Sequence, residues 1–316
     1  MIITVTLNPS LDEWVDLPAL RVGELNRSTS FVRYAGGKGI NVSRVVRELR
    51  GQTIAYGVAG GVDGKIFREL VDELHLRHDF VSVTGSTRNN YKILTEKPRS
   101  FTEINTPGPR VSAKVLAELK RRVFAHRVRP KALALSGSLP PGAPKSAYAD
   151  WIRFARKRGI PAVLDASGEP LRLGMKVRPW LIKPNRQEAA EIWGRAIADV
   201  DTGVAAALAL RERGPENVVL SLGPEGALLV CGDPVQVWHA TSPGIRVISA
   251  VGAGDSLVGG LLQGWVSGRP LTEAFRLGVA CGAATAMTPG TELCHRKDIE
   301  RLLPAVRLSR VHARKR

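Results

Sequence analysis

The residues best suited to handle a phosphoryl group form the stretch Val251-Gly252-Ala253-Gly254-Asp255-Ser256, which directly precedes an apolar helical pattern. Glycines let backbone N–H groups approach an anion closely, and the N-terminus of a helix favours negative charge. Gly252, Ala253 and Gly254 could therefore stabilise charge that develops during phosphoryl transfer. Asp255, at the same helix start, could accept the proton of an attacking hydroxyl. The motif alone leaves open a second interpretation, in which Asp255 only caps the helix.

A second glycine-rich loop, Gly36-Gly37-Lys38-Gly39-Ile40-Asn41, also opens a helical pattern. It is not a Walker P-loop, because no Gly-Lys-Ser/Thr follows four intervening residues. The glycines between Gly57 and Gly64 do not form a GxGxxG directly after the first strand, which disfavours a dinucleotide-binding fold. Gly36 and Gly37 allow a ligand to approach the backbone, and Asn41 offers a donor and an acceptor in one planar group.

Short apolar strands alternate with amphipathic helical patterns, which predicts an α/β fold whose mostly parallel central sheet is covered by helices. The predicted strands are Ile2–Leu7, Thr53–Val58, Ala132–Leu135, Ala162–Leu164, Trp180–Ile182 and Val218–Leu220. The predicted helices are Val42–Leu49, Ile66–Leu74, Ala113–Phe124 and Ala147–Lys157. In the last third, the pattern predicts a hairpin and then two helices rich in small residues: Gly226–Cys231 with Val235–His239, then Gly254–Val266 and Leu271–Met287.

Two segments break this alternation, Glu13–Val32 and Asn89–Asn105, because they show period-two patterns with turn residues and no helix between them. They could pair as a small separate sheet over the ends of the main strands, or they could extend the edge of the main sheet. We favour the separate sheet, acting as an active-site lid. The predicted organisation is a single domain over residues 1–316, with a lid at about residues 13–35 and 88–106.

The chain has 46 basic and 29 acidic residues, for a net charge of +17. Nucleic-acid binding would explain this charge, but basic residues are spread along the chain, aromatic residues make up only 5%, and no RNA- or DNA-binding module is recognisable. Attraction of anionic phosphorylated metabolites fits the charge as well, so nucleic acid is disfavoured as a partner. The densest basic cluster, Arg307–Arg316, is predicted to be a solvated, frayed terminus.

Three cysteines, Cys231, Cys281 and Cys294, lie far apart without CxxC or histidine spacing. This pattern argues against a disulfide framework or a zinc site and for a reducing compartment. No secretory signal follows Met1, and the apolar stretches are short. We therefore expect a cytoplasmic protein with no membrane span, in which Cys231 and Cys281 are core residues.

Five motifs, taken in order along nearly the whole chain, resemble those of the ribokinase-like carbohydrate kinases, phosphofructokinase B branch. They are Gly36–Val42, Ser136-Gly137-Ser138-Leu139-Pro140, Lys183-Pro184-Asn185-Arg186-Gln187-Glu188, Ser221-Leu222-Gly223-Pro224-Glu225-Gly226-Ala227 and Val251–Ser256. The resemblance implies a three-layer ribokinase-like domain with a small β-sheet lid, ATP and Mg²⁺ as co-substrate and cofactor, and Asp255 as the catalytic base. It also implies that the lid closes over the substrates and excludes water.

The resemblance further implies a set of contacts with a phosphorylated sugar. Asp12 would accept hydrogen bonds from sugar hydroxyls, beside the backbone of Gly36 and Gly37 and the amide of Asn41. Lys38 and Arg88 would hold the phosphate that the substrate already carries, because arginine can grip a phosphate with two parallel hydrogen bonds and lysine adds a compact charge. Ser136 would add a hydroxyl contact. A kinase for nucleosides or unphosphorylated sugars would leave Lys38 and Arg88 without a role.

On the nucleotide side, the resemblance implies that residues of three motifs border ATP. Ser221, Gly223 and Gly226 would border the nucleotide, Lys183 would reach its phosphates, and Gly252 and Gly254 would contact them. Outside these motifs, Ala284 would lie near the adenine. Asn185 and Glu188 would organise Mg²⁺ through water, since hard oxygen ligands suit this ion. Their spacing is also that of a helix N-cap followed by an acidic residue in the first turn, and this structural interpretation stays open.

The branch contains kinases for fructose 1-phosphate, fructose 6-phosphate and tagatose 6-phosphate. Gly23–Arg27, Lys38, Thr87–Ile93 and Thr102–Asn105 resemble 1-phosphofructokinases. Leu222–Gly226 and Gly290–Cys294 resemble the 6-phosphofructokinases instead. The prediction is a fructose-phosphate kinase that yields fructose 1,6-bisphosphate and favours fructose 1-phosphate, with fructose 6-phosphate and tagatose 6-phosphate as alternatives. A homodimer formed through the lids is implied by the family.

Overall fold

The computed structural model describes residues 1–127 and 129–311, which form two β-sheets flanked by helices. The large sheet contains β1 (Ile2–Thr6), β4 (Thr53–Gly60), β5 (His78–Val83), β8 (Ala132–Ser136), β9 (Ala162–Asp165), β10 (Leu181–Ile182), β11 (Asn217–Ser221), β12 (Ala227–Cys231), β13 (Gln236–Ala240) and β14 (Leu308–Val311). The small sheet contains β2 (Ser10–Leu17), β3 (Ser30–Gly36), β6 (Arg88–Glu96) and β7 (Arg99–Asn105). The helices are α1 (Lys38–Glu48), α2 (Gly61–Glu73), α3 (Ala113–Phe124), α4 (Ala147–Lys157), α5 (Gly168–Met175), α6 (Arg186–Trp193), α7 (Val200–Glu212), α8 (Ala253–Val266), α9 (Leu271–Ala286) and α10 (Arg296–Leu302).

The large sheet has the strand order β14-β13-β12-β11-β10-β9-β8-β1-β4-β5, and every pairing from β11 to β5 is parallel. The strands β12, β13 and β14 continue the sheet in antiparallel pairing. Because parallel strands are covered on both faces, they are apolar throughout, as in β1 and β8, whose residues are all buried. The predicted α/β class and the predicted hairpin are confirmed.

Helices pack on both faces of this sheet and give three layers. One apolar cluster joins the sheet to α3, α4, α5, α6 and α7, and another joins its opposite face to α1, α8, α9 and α10. Alternate residues of β1 separate between the two clusters: Ile3 and Val5 belong to the first and Ile2 to the second. This alternation follows from the period of two in a strand.

The helices α8 and α9 approach each other closely because small residues line their contact. A Cβ atom on Gly260 would lie 2.5 Å from Cys281 Sγ and 3.0 Å from Gly278 Cα. Larger side chains would therefore push the two helices apart. Cys281 and Cys231 are buried and free, as predicted for core residues.

The small sheet is separate from the large one and has the order β3-β2-β6-β7. Its strands overlap the two segments that break the βα alternation, although β2 begins before Glu13 and β3 ends after Val32. The prediction of a separate sheet is confirmed, and the edge-extension alternative is wrong. The β2–β6 register places Asp12 opposite Asn90, and the β2–β3 register places it opposite Tyr34. The role of this sheet as a lid stays a prediction.

The C-terminal region corrects one prediction. Leu308–Val311, expected to belong to a frayed terminus, forms strand β14 and pairs with β13. The rest of the predicted basic tail, residues 312–316, lies outside the described residues. Strand β5 and helices α5, α7 and α10 were also absent from the predicted elements, whereas only the start of α6, at Asn185 and Glu188, had been predicted. Within the described ranges, no helix is long and apolar enough to cross a membrane.

Candidate active site

Asp255 lies at the start of α8, where the chain turns sharply into the helix. Gly252 is the N-cap and has φ 79°, a left-handed conformation that favours glycine. Ala253 and Gly254 form the first residues of the helix, so their N–H groups lie at its positive end. The Asp255 side chain is buried, and its Oδ2 accepts a hydrogen bond of 2.8 Å from Asn41 Nδ2 in α1. Since Gly252 holds the N-cap position, the interpretation of Asp255 as a simple cap is wrong.

The surroundings of Asp255 raise the pKa of its carboxyl to about 6. Burial is the largest cause, and the negative charge of Asp165 adds to it. The positive charges of Lys38 and Lys183 and the hydrogen bond from Asn41 act in the opposite direction. A carboxyl with such a pKa is largely ionised at neutral pH and is a stronger base than an ordinary aspartate.

Two lysines meet one buried carboxylate beside Asp255. Lys38 Nζ lies 3.0 Å and Lys183 Nζ 3.4 Å from Oδ1 of Asp165, at the end of β9. Burial opposes the charge of Lys38, but the carboxylates of Asp165 and Asp255 outweigh burial and raise the pKa of Lys38. The ammonium of Lys183 also adjoins Gly254, since a Cβ atom on that glycine would lie 3.2 Å from Nζ. Asp165 was not among the predicted site residues, although its place directly after the predicted strand Ala162–Leu164 was a usable signal.

The predicted sugar-binding aspartate, Asp12, lies in β2 within a dense polar network. Its Oδ1 accepts hydrogen bonds from Ser10 Oγ at 2.8 Å and Asn90 Nδ2 at 3.3 Å, and Lys92 Nζ is 3.5 Å from Oδ2. A Cβ atom on Gly36 would lie 2.5 Å from Cγ of Asp12, so a larger residue at this position would displace the carboxylate. Asn90 and Lys92 were not predicted individually; they reach Asp12 because β6 pairs with β2.

Gly37 is the N-cap of α1, and Lys38 is the first helical residue. The structure does not bring Lys38 and Arg88 into contact: Lys38 pairs with Asp165, whereas the Arg88 guanidinium donates to the backbone oxygen of Asn8 at 3.1 and 3.2 Å. Burial lowers the pKa of Arg88, and Asp12 opposes that effect. The joint phosphate clamp of Lys38 and Arg88 therefore stays a prediction.

Several buried polar atoms on this side have no hydrogen-bonding partner within the described residues. They include Ser136 Oγ, Asn8 Oδ1 and Asn90 Oδ1. Buried polar groups without partners are rare in folded proteins and need an explanation. Asn8 contacts Arg88 and Asn90 contacts Asp12, whereas Ser136 is the register neighbour of Asp165, and these positions are consistent with groups that bind a polar ligand.

On the nucleotide side, Asn185 and Glu188 form a capping box at the start of α6. Asn185 Oδ1 accepts from Glu188 N at 2.8 Å, and Glu188 Oε2 accepts from Asn185 N at 2.9 Å. The structural interpretation of this pair is thus confirmed, and their role toward Mg²⁺ stays a prediction. Ser221 lies beside Asn185 through an isolated parallel β-bridge.

The turn after Ser221 is closed by glycines. Gly226 N donates to Gly223 O at 3.0 Å, and Leu222 N donates to Gly226 O at 2.8 Å. A Cβ atom on Gly223 would have no heavy atom within 4 Å, so this residue faces open space, as a nucleotide-bordering residue must.

The predicted adenine neighbour, Ala284, is fully buried in α9. Its methyl group is not accessible to a nucleotide in this structure, so direct contact with adenine is disfavoured. Exposed apolar side chains lie close by, on the segment that leads to α8: Val247 is 57% and Ile248 48% exposed. The N–H of Ile248 donates to Ala286 O at 2.8 Å, which ties this segment to the end of α9. The sequence analysis missed both residues.

Comparisons with known proteins agree with this site. The family model "pfkB family carbohydrate kinase" matches residues 5–298. The 1-phosphofructokinase of Bacillus subtilis is 38% identical over 311 residues, which cover 98% of this chain and 100% of the relative. Phosphofructokinase-2 from Escherichia coli superposes with a TM-score of 0.90 at 32% identity, covering 96% of this chain and 98% of that structure.

A ribokinase from Arabidopsis thaliana is similar in fold alone, with a TM-score of 0.75 at 21% identity over 96% of this chain and 98% of the ribokinase. The predicted ribokinase-like architecture is confirmed. With the family match spanning most of the sequence and a glycine-lined aspartate at its expected place, the chain belongs to the pfkB family of carbohydrate kinases and is a phosphotransferase that acts on a sugar hydroxyl.

Proposed function

We propose that this protein transfers the γ-phosphate of ATP to the free primary hydroxyl of fructose 1-phosphate, giving fructose 1,6-bisphosphate. The observation that carries the proposal is Asp255, a buried carboxylate with a raised pKa at a glycine-lined helix start beside two lysines. The full-length similarity to a protein named 1-phosphofructokinase supports the choice of substrate.

In the proposed reaction, Asp255 removes the proton of the sugar hydroxyl as that oxygen attacks the γ-phosphorus. A new bond between oxygen and phosphorus forms, the bond between the γ-phosphorus and the bridging oxygen breaks, and ADP leaves with the electron pair. The amides at the start of α8 and the ammonium groups of Lys38 and Lys183 offset the negative charge on the transferring group. Asn41 holds the carboxylate in place through its hydrogen bond of 2.8 Å.

The sugar phosphate is proposed to bind along β2, β6 and the end of β8. Asp12 would accept hydrogen bonds from its hydroxyls, and the unpartnered atoms of Asn90 and Ser136 would bind its polar groups. Arg88 would bind the existing phosphate by exchanging its weaker backbone contacts for charge-assisted hydrogen bonds. Lys38 would approach the same ligand from the Asp165 side.

ATP is proposed to lie between the Ser221–Gly226 turn and the start of α8, with Lys183 at its phosphates. The exposed side chains of Val247 and Ile248 would contact the adenine in place of Ala284. Asn185 and Glu188 suit Mg²⁺ held through water, because they are hard oxygen donors and Glu188 Oε1 lies outside the capping box. When bound, Mg²⁺ would offset charge on the phosphates of ATP.

Fructose 6-phosphate is the second candidate substrate, since phosphofructokinase-2 is a close structural neighbour and the Leu222–Gly226 motif resembles its group. A coupled ADP-release assay with ATP and Mg²⁺ should show a higher kcat/KM for fructose 1-phosphate than for fructose 6-phosphate, tagatose 6-phosphate or fructose.

Asp255→Asn should lower kcat by about 10²–10⁴ while nucleotide affinity is kept. Preference for another sugar would overturn the substrate, and undiminished turnover by the variant would overturn the base.

The raised pKa of Asp255 predicts a pH dependence. Because the base must be ionised, kcat/KM for the sugar phosphate should fall as pH drops through about 6. The sign for stability is opposite: the folded protein binds this proton more tightly than the unfolded chain, so stability falls as pH rises from 3.8 to about 6, and the full cost is present above that range. Asp255→Asn should therefore melt no lower than the unaltered protein at pH 7.5. An acid limb near pH 4, or a lower melting temperature for the variant, would contradict this assignment.

Arg88→Ala tests the phosphate contact. We expect KM for fructose 1-phosphate to rise by about tenfold or more, because a charge-assisted hydrogen bond to phosphate is lost, while KM for ATP changes little. Arg110→Ala serves as a control, since Arg110 is exposed and forms no ion pair among the described residues. Equal increases in both KM values would remove Arg88 from the phosphate site.

The small sheet also offers a surface for a second copy of this chain. By register, Phe31 stands beside Val15 and Tyr91 beside Ile104 on one face. Phe31 is 52% and Ile104 50% exposed, an unusual density of apolar surface for a solvated sheet. We propose that two lids pair through this face to form a homodimer.

Analytical ultracentrifugation at micromolar concentration should give a dimer for the unaltered protein and a monomer for Phe31→Glu/Ile104→Glu, because buried charges would be unpaired at the interface. Val22→Glu, on the loop before β3 and 94% exposed, should leave the mass unchanged. A monomeric unaltered protein, or a dimer that survives the double substitution, would refute the lid-mediated interface.

A further inference from the structure

Asp165 is a fully buried acid that the proposed reaction does not use as a base. It is the last residue of β9, and β9 lies between β8 and β10 in the sheet. Both Lys38 and Lys183 place their ammonium groups on the same oxygen, Oδ1. A buried carboxylate is costly unless paired, and two lysines on one oxygen pair it strongly, which lowers the pKa of Asp165 despite burial.

The two lysines come from opposite halves of the site. Lys38 begins α1, two residues after Gly36, which adjoins Asp12. Lys183 follows β10 and precedes the capping-box residue Asn185, and its ammonium lies next to Gly254. One carboxylate therefore joins the sugar side of the site to the nucleotide side.

We propose that Asp165 is a positioning residue that holds Lys38 and Lys183 together at the point of phosphoryl transfer and thereby couples the binding of the two substrates. This inference rests on the proposed function. Two ammonium groups that share one oxygen repel each other, and they stay close only because the carboxylate lies between them. Without it, Lys183, whose side chain is 4% exposed, would be a buried charge with no ion-pair partner among the described residues.

The surroundings of the second oxygen support a role beyond structure. Asp165 Oδ2 and the hydroxyl of Ser136 are both buried without a hydrogen-bonding partner in the described residues, and Ser136 is the register neighbour of Asp165 on β8. Oδ1 takes both lysines, whereas Oδ2 takes neither, so the ion pairs of this carboxylate are concentrated on placing the two ammonium groups.

Asp165→Asn keeps the shape and removes the charge. We expect KM to rise for both ATP and fructose 1-phosphate, each by about fivefold or more, since both lysines are released. The acid limb of kcat/KM should also move to lower pH, because the charge of Asp165 helps to raise the pKa of Asp255 and would no longer offset the lysines. A purely structural lesion would lower activity without moving that limb. Asp150→Asn, an exposed acid paired with Arg153, is the matched control and should change neither quantity.

A second measurement keeps the proposal testable if Asp165→Asn folds poorly, and it does not depend on the sugar substrate. Lys38→Met leaves Oδ1 of Asp165 to Lys183 alone, which should draw the Lys183 ammonium further onto that oxygen and away from the position at which it contacts the nucleotide. Calorimetry with a non-hydrolysable ATP analogue should therefore give a Kd about fivefold higher for Lys38→Met than for the unaltered protein. An unchanged Kd, or a folded Asp165→Asn with both KM values and the acid limb unmoved, would overturn the coupling. Failure of the unaltered protein to phosphorylate fructose 1-phosphate would instead overturn the proposed substrate and leave the calorimetric result interpretable.

Discussion

Buried acidic and basic side chains meet at the carboxyl ends of the central strands. Their charges must balance, and this requirement constrains the rest of the site. Asp165, Lys183 and Asp255 are all buried. Water cannot solvate these groups, so each depends on fixed neighbours of opposite charge. Two carboxylates and two lysines balance in formal charge, and this balance keeps the pKa of Asp255 near 6 instead of driving the group to full protonation. A carboxylate that is both buried and largely ionised at neutral pH follows from that arrangement.

Packing far from the ligands fixes this arrangement in space. The close approach of α8 and α9 at Gly260 and Gly278 sets the position of α8, and the α8 N-terminus carries Asp255. On its other side, α8 packs against α1, where a Cβ atom on Gly259 would lie 2.7 Å from Cβ of Val45. The hydrogen bond between Asn41 and Asp255 is therefore held by helix packing on both sides, and neither residue needs a mobile loop to meet the other.

The pair Asn185 and Glu188 shows that a structural role and a functional role can share the same atoms. Each uses one oxygen to close the start of α6, and Glu188 retains Oε1 for other contacts. The capping box holds both side chains in place before any ligand arrives, which reduces the ordering that binding requires. Substitution of either residue would therefore lower activity for two reasons. The helix would lose a cap that contributes about 1 kcal/mol to stability, and the ligand would lose a contact.

The sequence by itself determined the fold class and most of the strands, and it singled out Asp255 as the candidate base. These features are local: apolar runs of period two or 3.6, and glycines directly before a helix, are visible without knowing the fold. Helix α7 and strand β5 escaped notice because α7 is apolar or small on most faces and β5 is short and polar at its start. Strand β14 was missed because its basic sequence is typical of a solvated tail and becomes a strand only by pairing with β13.

Only the tertiary structure decided which charges meet. Lys38 and Asp165 are separated by 127 residues and Asn41 and Asp255 by 214, and no local pattern reports such contacts. In the tertiary structure, Lys38 forms an ion pair with Asp165, and Arg88 donates to the backbone oxygen of Asn8. The family motifs alone had suggested that Lys38 and Arg88 bind one phosphate together. Strand order and helix packing bring segments that are distant in sequence to one edge of the sheet. The ion pairs and hydrogen bonds between these segments form only when the whole fold is in place.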